Sequence, residues 1–302
     1  MRVGLDIGGA SAKIGLVDAG GNVVRRGTIA TGAEITGEGL VRHVSTVIRA
    51  WPVYRDIRSL GVASPGYRRE DGAAMVNVVN LPELTGFPLR DRLRETLGIP
   101  IALDNDANLA AVGEYHLGGG AGARRLLVLT VGTGVGGGML VAGEVLRVTN
   151  GGLGDPGHVL VSPEGPRCAC GAFGCMEAVA AAPAILRRAR ELGGEKAFAD
   201  FAAVARAAGR DEEPALQALA EAAGWLARGF ASLAHILGPD RILVGGGVLD
   251  ATGDLLLAPL RERFAEVVMP FFGAGLTLDR ATLGNDAGLL GAASAAALLE
   301  SS

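Results

Sequence analysis

The chain has 302 residues, a length that supports two domains and a large buried core. Its 28 basic and 32 acidic side chains leave a net charge of −4 with both signs spread along the sequence, so no basic block marks a nucleic-acid surface. Apolar residues make up 49%, yet runs such as LLVLTVG and ILVGGG suit buried strands and fall well short of a membrane span.

Arg2 to Ile7 reads as an apolar strand that ends in Asp6-Ile7-Gly8-Gly9. Because MRVGLDIGG enters this strand directly, no signal peptide is expected. A second strand, Lys13 to Asp18, follows at once, and Gly20-Gly21-Asn22 turns the chain into a third, Val23 to Ile29. Leu40, Val44, Val47 and Ile48 fall on one face of a helix over Gly37 to Ala50. Ile57 to Ala63 is a buried strand stopped by Ser64-Pro65-Gly66. Val76 to Pro82 is irregular and carries Asn77 and Asn80. A short helix over Leu89 to Leu97 and a short strand over Ile101 to Leu103 lead to Asp104-Asn105-Asp106-Ala107-Asn108. The apolar helix Leu109 to Leu117 comes next. Carboxylates and amides at the start of a helix meet free backbone N–H groups and a dipole that favours negative charge.

Gly118 to Gly122 reads as a hinge, after which the opening pattern returns. Leu126 to Val131 is a strand, Gly132-Thr133-Gly134 a turn, Val135 to Val141 a strand, and Glu144 to Val148 another. Strand, glycine turn and strand at the start of each half suggest an internal duplication. Ala178 to Leu237 is nearly all helical. Arg241 to Val244 is a strand, Gly245-Gly246-Gly247 a sharp turn, and Gly253 to Val268 a helix. Leu276 to Leu278 is a last strand, and Gly288 to Leu299 a last helix. Strands alternating with helices make the class α/β, in two lobes with a cleft.

All three cysteines, Cys168, Cys170 and Cys175, lie within eight residues, and His158 stands ten residues before the first. One imidazole and three thiolates form a closed tetrahedral set suited to structural Zn2+. A disulfide framework leaves one cysteine over, and C-x-C spacing strains a bridge between the first two. Thiols grouped as a metal site fit a reducing, cytoplasmic setting. Asp155 and His158 enter this loop and Glu177 leaves it, so polar groups stand at the ends of a clamp.

Three glycine turns follow buried strands, and their backbone N–H groups suit phosphate oxygens. Asp6 suits a magnesium ion, and Thr133 adds a hydroxyl. No Walker A loop is present, and no G-x-G-x-x-G opens a helix after the first strand, which argues against a dinucleotide fold.

These residues resemble the ROK family (repressors, open reading frames and sugar kinases) of the actin-like, hexokinase-like ATPase superfamily. The resemblance runs from Val3 to the end. It rests on DIGG at Asp6 to Gly9, NDAN at Asn105 to Asn108, GTGVGGG at Gly132 to Gly138, and GGG at Gly245 to Gly247. Most specific is Gly157-His158 followed by CACGAFGCME at Cys168 to Glu177. The resemblance implies a two-lobed actin-like ATPase (ribonuclease H-like) fold with a zinc loop. A small N-terminal lobe would take 1–107 and 286–302, and a large C-terminal lobe 108–285. It implies a glucokinase-like enzyme that phosphorylates a hexose or hexose derivative with ATP and Mg2+. Asp106 would be the catalytic base. Asn80, Asn105, Asp155, His158 and Glu177 would bind sugar, and His158, Cys168, Cys170 and Cys175 the zinc. Magnesium–ATP would lie across Asp6, Gly8, Gly9, Thr133 and Gly134, with Gly246 on the adenosine side. Family members are commonly homodimers or homotetramers.

The chain departs from the family pattern twice. The usual Glu of E-x-G-H is Asp155 here, one methylene and roughly 1.5 Å shorter. The shorter carboxylate leaves room for another hexose or a related polyol in place of plain glucose. The usual DIGGT reads DIGGA, with Ala10 in place of the threonine and Lys13 as a candidate to compensate. The rival reading is a non-catalytic sugar-binding or regulatory protein of the same family. Its repressors carry a helix-turn-helix ahead of the first phosphate turn, and only five residues precede Asp6 here.

Overall fold

A computed structural model of the chain describes residues 1–148, 152 and 154–300. Contacts divide it into two compact units, Met1–Gly122 with Gly138–Gly154 and Asn285–Ser302, and Ala123–Gly137 with Asp155–Gly284. Residues 301 and 302 of the expected N-terminal lobe lie outside the described residues. The chain leaves the first unit at Gly122, inside the glycine stretch read as a hinge, and not at residue 107.

The first unit is built on strands β1 (Arg2–Ile7), β2 (Ser11–Val17), β3 (Val23–Ala30), β4 (Ser59–Ser64) and β7 (Ile101–Asn105), in the order β3-β2-β1-β4-β7. The hairpin strands β2 and β3 run antiparallel, while β4 and β7 run parallel to β1 and β4. Alternation along β1 decides its two faces. Val3, Leu5 and Ile7 turn into a buried cluster with Leu40, Val44 and Ile48 of α1 (Gly37–Arg49) and Leu89, Leu93 and Leu97 of α2 (Leu89–Leu97). Each such side chain contributes about 1.5–3 kcal/mol when fully buried. Thr36 caps α1 by accepting the Gly39 N–H at 3.1 Å.

The other face is lined with glycine. Gly4 pairs with Gly15 on β2 and with Gly61 on β4, a row of three across the sheet. Helix α11 (Ala287–Leu298) lies directly on this row. A Cβ on Gly61 would stand 1.8 Å from the Ala292 carbonyl oxygen, and one on Gly4 would stand 2.1 Å from that of Leu289. On its far side α11 meets α3 (Asp106–Leu117), where a Cβ on Gly291 would stand 1.6 Å from the Leu109 oxygen. This packing ties α3 to the first unit.

The second sheet repeats the first, β10-β9-β8-β11-β12, from β8 (Arg125–Val131), β9 (Val135–Val141), β10 (Glu144–Val145), β11 (Arg241–Gly245) and β12 (Thr277–Arg280). Again an antiparallel hairpin edge joins three parallel strands, which is the duplication expected from sequence. The helical stretch divides into α4 (Met176–Ala180), α5 (Ala182–Gly193), α6 (Phe201–Ala208) and α7 (Glu213–Leu237). Helix α7 is the buried axis of the second unit, packed on α5 and on α9 (Asp254–Val267).

Several boundaries differ from the periodicity reading. Tyr67–Arg68 (β5) and Met75–Val76 (β6) form a two-stranded ribbon whose last residue, Val76, is the first of the segment expected to be irregular. The strand β7 continues two residues further, and α3 begins three residues earlier, because the Asn105 side chain caps the helix. The third glycine turn opens a separate short helix, α8 (Gly247–Thr252), and Pro270–Gly273 forms one turn, α10. No helix among the described residues is long and apolar enough to cross a membrane.

Candidate functional site

In the first unit the β1–β2 turn is closed by Gly8 N–H donating to Ser11 O at 3.1 Å. Thr31 clasps it from β3's end, its hydroxyl donating to Gly8 O at 2.7 Å. Among the described residues the N–H groups of Gly9 and Ala10 have no acceptor in the chain. Asn80 is exposed beside this turn, since a Cβ on Gly9 would come within 3.4 Å of its Cβ.

Asp6 ends β1 and pairs in register with Lys13. Burial raises its pKa, Lys13 works against that shift, and Asp286 adds to it. Its carboxylate accepts no hydrogen bond among the described residues. A Cβ on Gly288 would stand 2.9 Å from its carboxyl carbon, so glycine keeps the space open. An acid disfavoured as a bare anion suits a hard cation. Lys13 donates to Asn285 twice, to the backbone oxygen at 2.9 Å and to Oδ1 at 2.6 Å, at the entry to α11. Arg26 holds Asp286 through two bonds of 2.7 Å.

At the β7–α3 junction Asn105 accepts the N–H groups of Ala107 (2.9 Å) and Asn108 (3.2 Å), and its amide donates to Gly66 O at 2.9 Å. Its acceptor is thus used as the helix cap. Asp106 Oδ1 accepts the Ala107 N–H at 2.8 Å. Burial pushes the Asp106 pKa up to about 6. The Ala107 N–H opposes this, and the nearby charge of Asp6 adds to it. Beneath this pair lies a network not flagged from sequence. Buried Asp104 accepts Asn105 N–H at 2.7 Å and Asn108 Nδ2 at 3.1 Å, and it pairs with Arg147. Arg147 stands 43 residues away, so no local spacing gives the pairing. Glu114, fully buried, accepts the Gly119 N–H at 2.9 Å and anchors the glycine stretch that leaves this unit.

In the second unit Gly132 N–H donates to Gly134 O at 2.8 Å and closes the turn that carries exposed Thr133. Gly246 has φ +96, and a Cβ on it would stand 2.5 Å from Val131 O. Glu177, on the first turn of α4, accepts the Val135 N–H at 3.0 Å.

His158, Cys168, Cys170 and Cys175 converge, with their four ligand atoms all within 4.8 Å of one another. His158 Nδ1 stands 3.6 Å from Cys168 Sγ, and Cys170 Sγ stands 3.6 Å from Cys175 Sγ. Tetrahedral arms of about 2.0–2.3 Å give edges of roughly 3.5–3.8 Å, so the donor set fits zinc. The sulfurs are too far apart for a disulfide, and all three thiols are free. Burial and the neighbouring sulfurs push Cys175 up to about 12, a charge problem that a dication relieves. Gly174 makes the loop possible, with φ +71 and a Cβ position only 1.6 Å from Ser162 O. His158 turns Nε2 toward Asp155, whose Oδ2 is 3.4 Å away. Asp155 thus stands against the histidine's second nitrogen, an outer carboxylate of the kind that orients metal-bound imidazole.

The expected residues therefore fall into two groups. Asp6, Gly8, Gly9, Lys13, Asn80, Asn105 and Asp106 belong to the first unit, and Thr133, Gly134, Asp155, His158, Glu177 and Gly246 to the second.

The family model described as ROK family matches residues 2–298. The chain is 36% identical to a glucokinase of Halalkalibacterium halodurans, over 96% of this chain and 92% of that one. It is 34% identical to an N-acetylmannosamine kinase of Escherichia coli, over 96% of each. Among solved structures it is similar to a ROK family glucokinase from Streptomyces griseus in complex with glucose and AMPPNP. That match has a TM-score of 0.84 and 31% identity, over 98% of this chain and 99% of that one.

Proposed function

The chain belongs to the ROK family and is an ATP-dependent sugar kinase, and from that premise we propose that it phosphorylates a hydroxyl of a hexose or hexose derivative with Asp106 as general base. The observation that carries this reading is the Asp106 carboxyl, raised to about 6 at the head of α3 and sensing the charge of Asp6. A base with a pKa just below neutrality is mostly ionised at pH 7 and still basic enough to take a hydroxyl proton in the transition state. That role is typically worth 10²–10⁴-fold in rate.

Phosphoryl transfer otherwise demands positioning and charge neutralisation. The free N–H groups of Gly9 and Ala10, and those of Thr133 and Gly134, suit phosphate oxygens. Magnesium carried with ATP neutralises phosphate charge, and Asp6 would hold it. Lys13 orders the start of α11 through Asn285 and moderates Asp6. Gly246 would line the adenosine side. Asn80, Asn105, Asp155, His158 and Glu177 would orient the sugar. His158, Cys168, Cys170 and Cys175 would hold a structural zinc that fixes the loop. Both a glucokinase and an N-acetylmannosamine kinase stand among the relatives, so the sugar is left at the level of a hexose or its derivative. A cytoplasmic homodimer or homotetramer completes the proposal.

The test is sugar-dependent ADP release from Mg–ATP across glucose, mannose, fructose, allose, N-acetylglucosamine, N-acetylmannosamine and inositol. Turnover with one of them that vanishes in Asp106→Asn, while sugar binding persists, is the expected result. Retained turnover in that variant removes Asp106 as the base.

A further inference from the structure

Glu177 does more in this chain than stand at the end of the zinc loop. Its Oε2 accepts the Val135 N–H at 3.0 Å, at the far end of the Gly132-Thr133-Gly134 turn. Five residues on, Ala182 N–H donates to Gly132 O at 2.8 Å, at the near end of the same turn. The segment following the last cysteine therefore grips the turn at both ends. The turn itself leaves little slack. A Cβ on Gly134 would stand 2.4 Å from Glu177 Oε2, so glycine alone admits the carboxylate at this distance. Among the described residues the N–H groups of Thr133 and Gly134, the two between the grips, have no acceptor in the chain. Glu177 Oε1 faces the other way and stands 3.9 Å from Cys168 Sγ.

We infer that Glu177 is a positioning residue for the nucleotide, holding the Gly132–Val135 turn so that its free N–H groups stand ready for phosphate oxygens. The inference rests on the reading of that turn as a phosphate site. It adds to Glu177 a nucleotide role distinct from contact with the sugar. The physical basis is preorganisation. Three short bonds fix the turn before ligand arrives, and a carboxylate acceptor makes a stronger bond to an N–H than a neutral group does. One carboxylate then serves the nucleotide turn with one oxygen and keeps lone pairs on the other for a sugar hydroxyl.

The two roles separate in binding measurements made without sugar. Affinity for Mg–AMPPNP is measured by calorimetry on wild type, Glu177→Gln, Glu177→Ala and Glu177→Met, with zinc content and melting temperature recorded for each. Glutamine keeps an oxygen that accepts the Val135 N–H, so its nucleotide affinity stays within about twofold of wild type. Alanine and methionine lack an acceptor, and their nucleotide affinity falls about tenfold. Methionine preserves the side-chain length and serves where the alanine variant does not fold. Nucleotide affinity unaltered in a folded alanine or methionine variant overturns the inference and leaves the kinase reading standing. Wild type that binds no nucleotide overturns both.

Discussion

Replacing Asp106 by Asn stabilises the protein while it disables it, and the gain grows with pH. The carboxyl has a folded pKa of about 6 against 3.8 for its unperturbed value, chiefly because burial disfavours the anion. A group whose folded pKa is raised favours folding below its unfolded pKa, and that advantage is lost as pH rises through the folded value. Relative to a neutral isostere, the ionised Asp106 costs about 3 kcal/mol at pH 8 and about 1.6 kcal/mol at pH 5. Part of the Asp106 surface remains exposed, so solvent screening makes these upper values. Asparagine keeps an oxygen for the Ala107 N–H and sheds the charge. At about 2 °C per kcal/mol for a chain of this size, Asp106→Asn melts up to about 6 °C higher than wild type at pH 8 and about 3 °C higher at pH 5. The assay is paired thermal melts of both proteins at the two pH values. The same carboxylate governs catalysis, so kcat/KM of wild type falls tenfold per pH unit below about pH 6. A variant that melts lower than wild type, or a difference independent of pH, refutes the assignment of a strained buried acid.

Three further outcomes follow from the geometry. Metal analysis of the purified protein gives about one zinc per chain, and a strong chelator lowers the melting temperature, because metal binding is folding free energy for the loop; metal-free protein with an unaltered melt refutes the Cys168-Cys170-Cys175-His158 site. Asp155→Glu shifts the ratio of kcat/KM between glucose and N-acetylmannosamine, since the carboxylate gains roughly 1.5 Å of reach past its present place beside His158; an unaltered ratio makes that departure irrelevant to specificity. Gly61→Ala destabilises by about 3 kcal/mol or more in urea unfolding, because the new methyl meets the Ala292 backbone oxygen at 1.8 Å and a helix must move to admit it; a loss below about 1 kcal/mol shows that α11 yields more readily than the packing implies.

Much of the site is legible in the sequence because its parts are short and local. The cysteines lie within eight residues, so their convergence on His158 needs only one loop, and the structure brings His158 to Cys168 and Cys170 to Cys175 at 3.6 Å each. Asp6 at a strand end and Asp106 beside a helix start are likewise read from one segment each. What the sequence conceals are partnerships across distance. Asp104 looks like the spare member of an Asp-Asn-Asp triplet until Arg147 closes on it from another hairpin. Glu177 reads as a ligand at the end of a loop, and its bond to Val135, 42 residues back, has no periodic signature. Asn105 shows the limit of residue type alone. Its amide suits sugar hydroxyls, yet its oxygen is already committed to capping α3, which leaves the remaining amide hydrogen as its principal offering.

The glycine row carries this argument furthest. With 48 glycines in the chain, Gly4, Gly15 and Gly61 are individually unremarked, and each weakens the strand that holds it. Their alignment exists only in the paired sheet, where strand register brings Gly4 opposite both others. Yet that alignment sets the chemistry. It lets α11 lie backbone to sheet, and the helix then brings Gly288 against Asp6 and Asn285 against Lys13. The same helix presents Gly291 to α3, whose first residue is Asp106. The carboxylate suited to magnesium and the carboxylate proposed as base are held in one electrostatic environment by a seam in which the sheet contributes no side chain and Leu289 of α11 lies over Gly15. Larger residues at these positions would fill the seam and bury more apolar surface, but they would separate the helix from the sheet and loosen the coupling between the two acids.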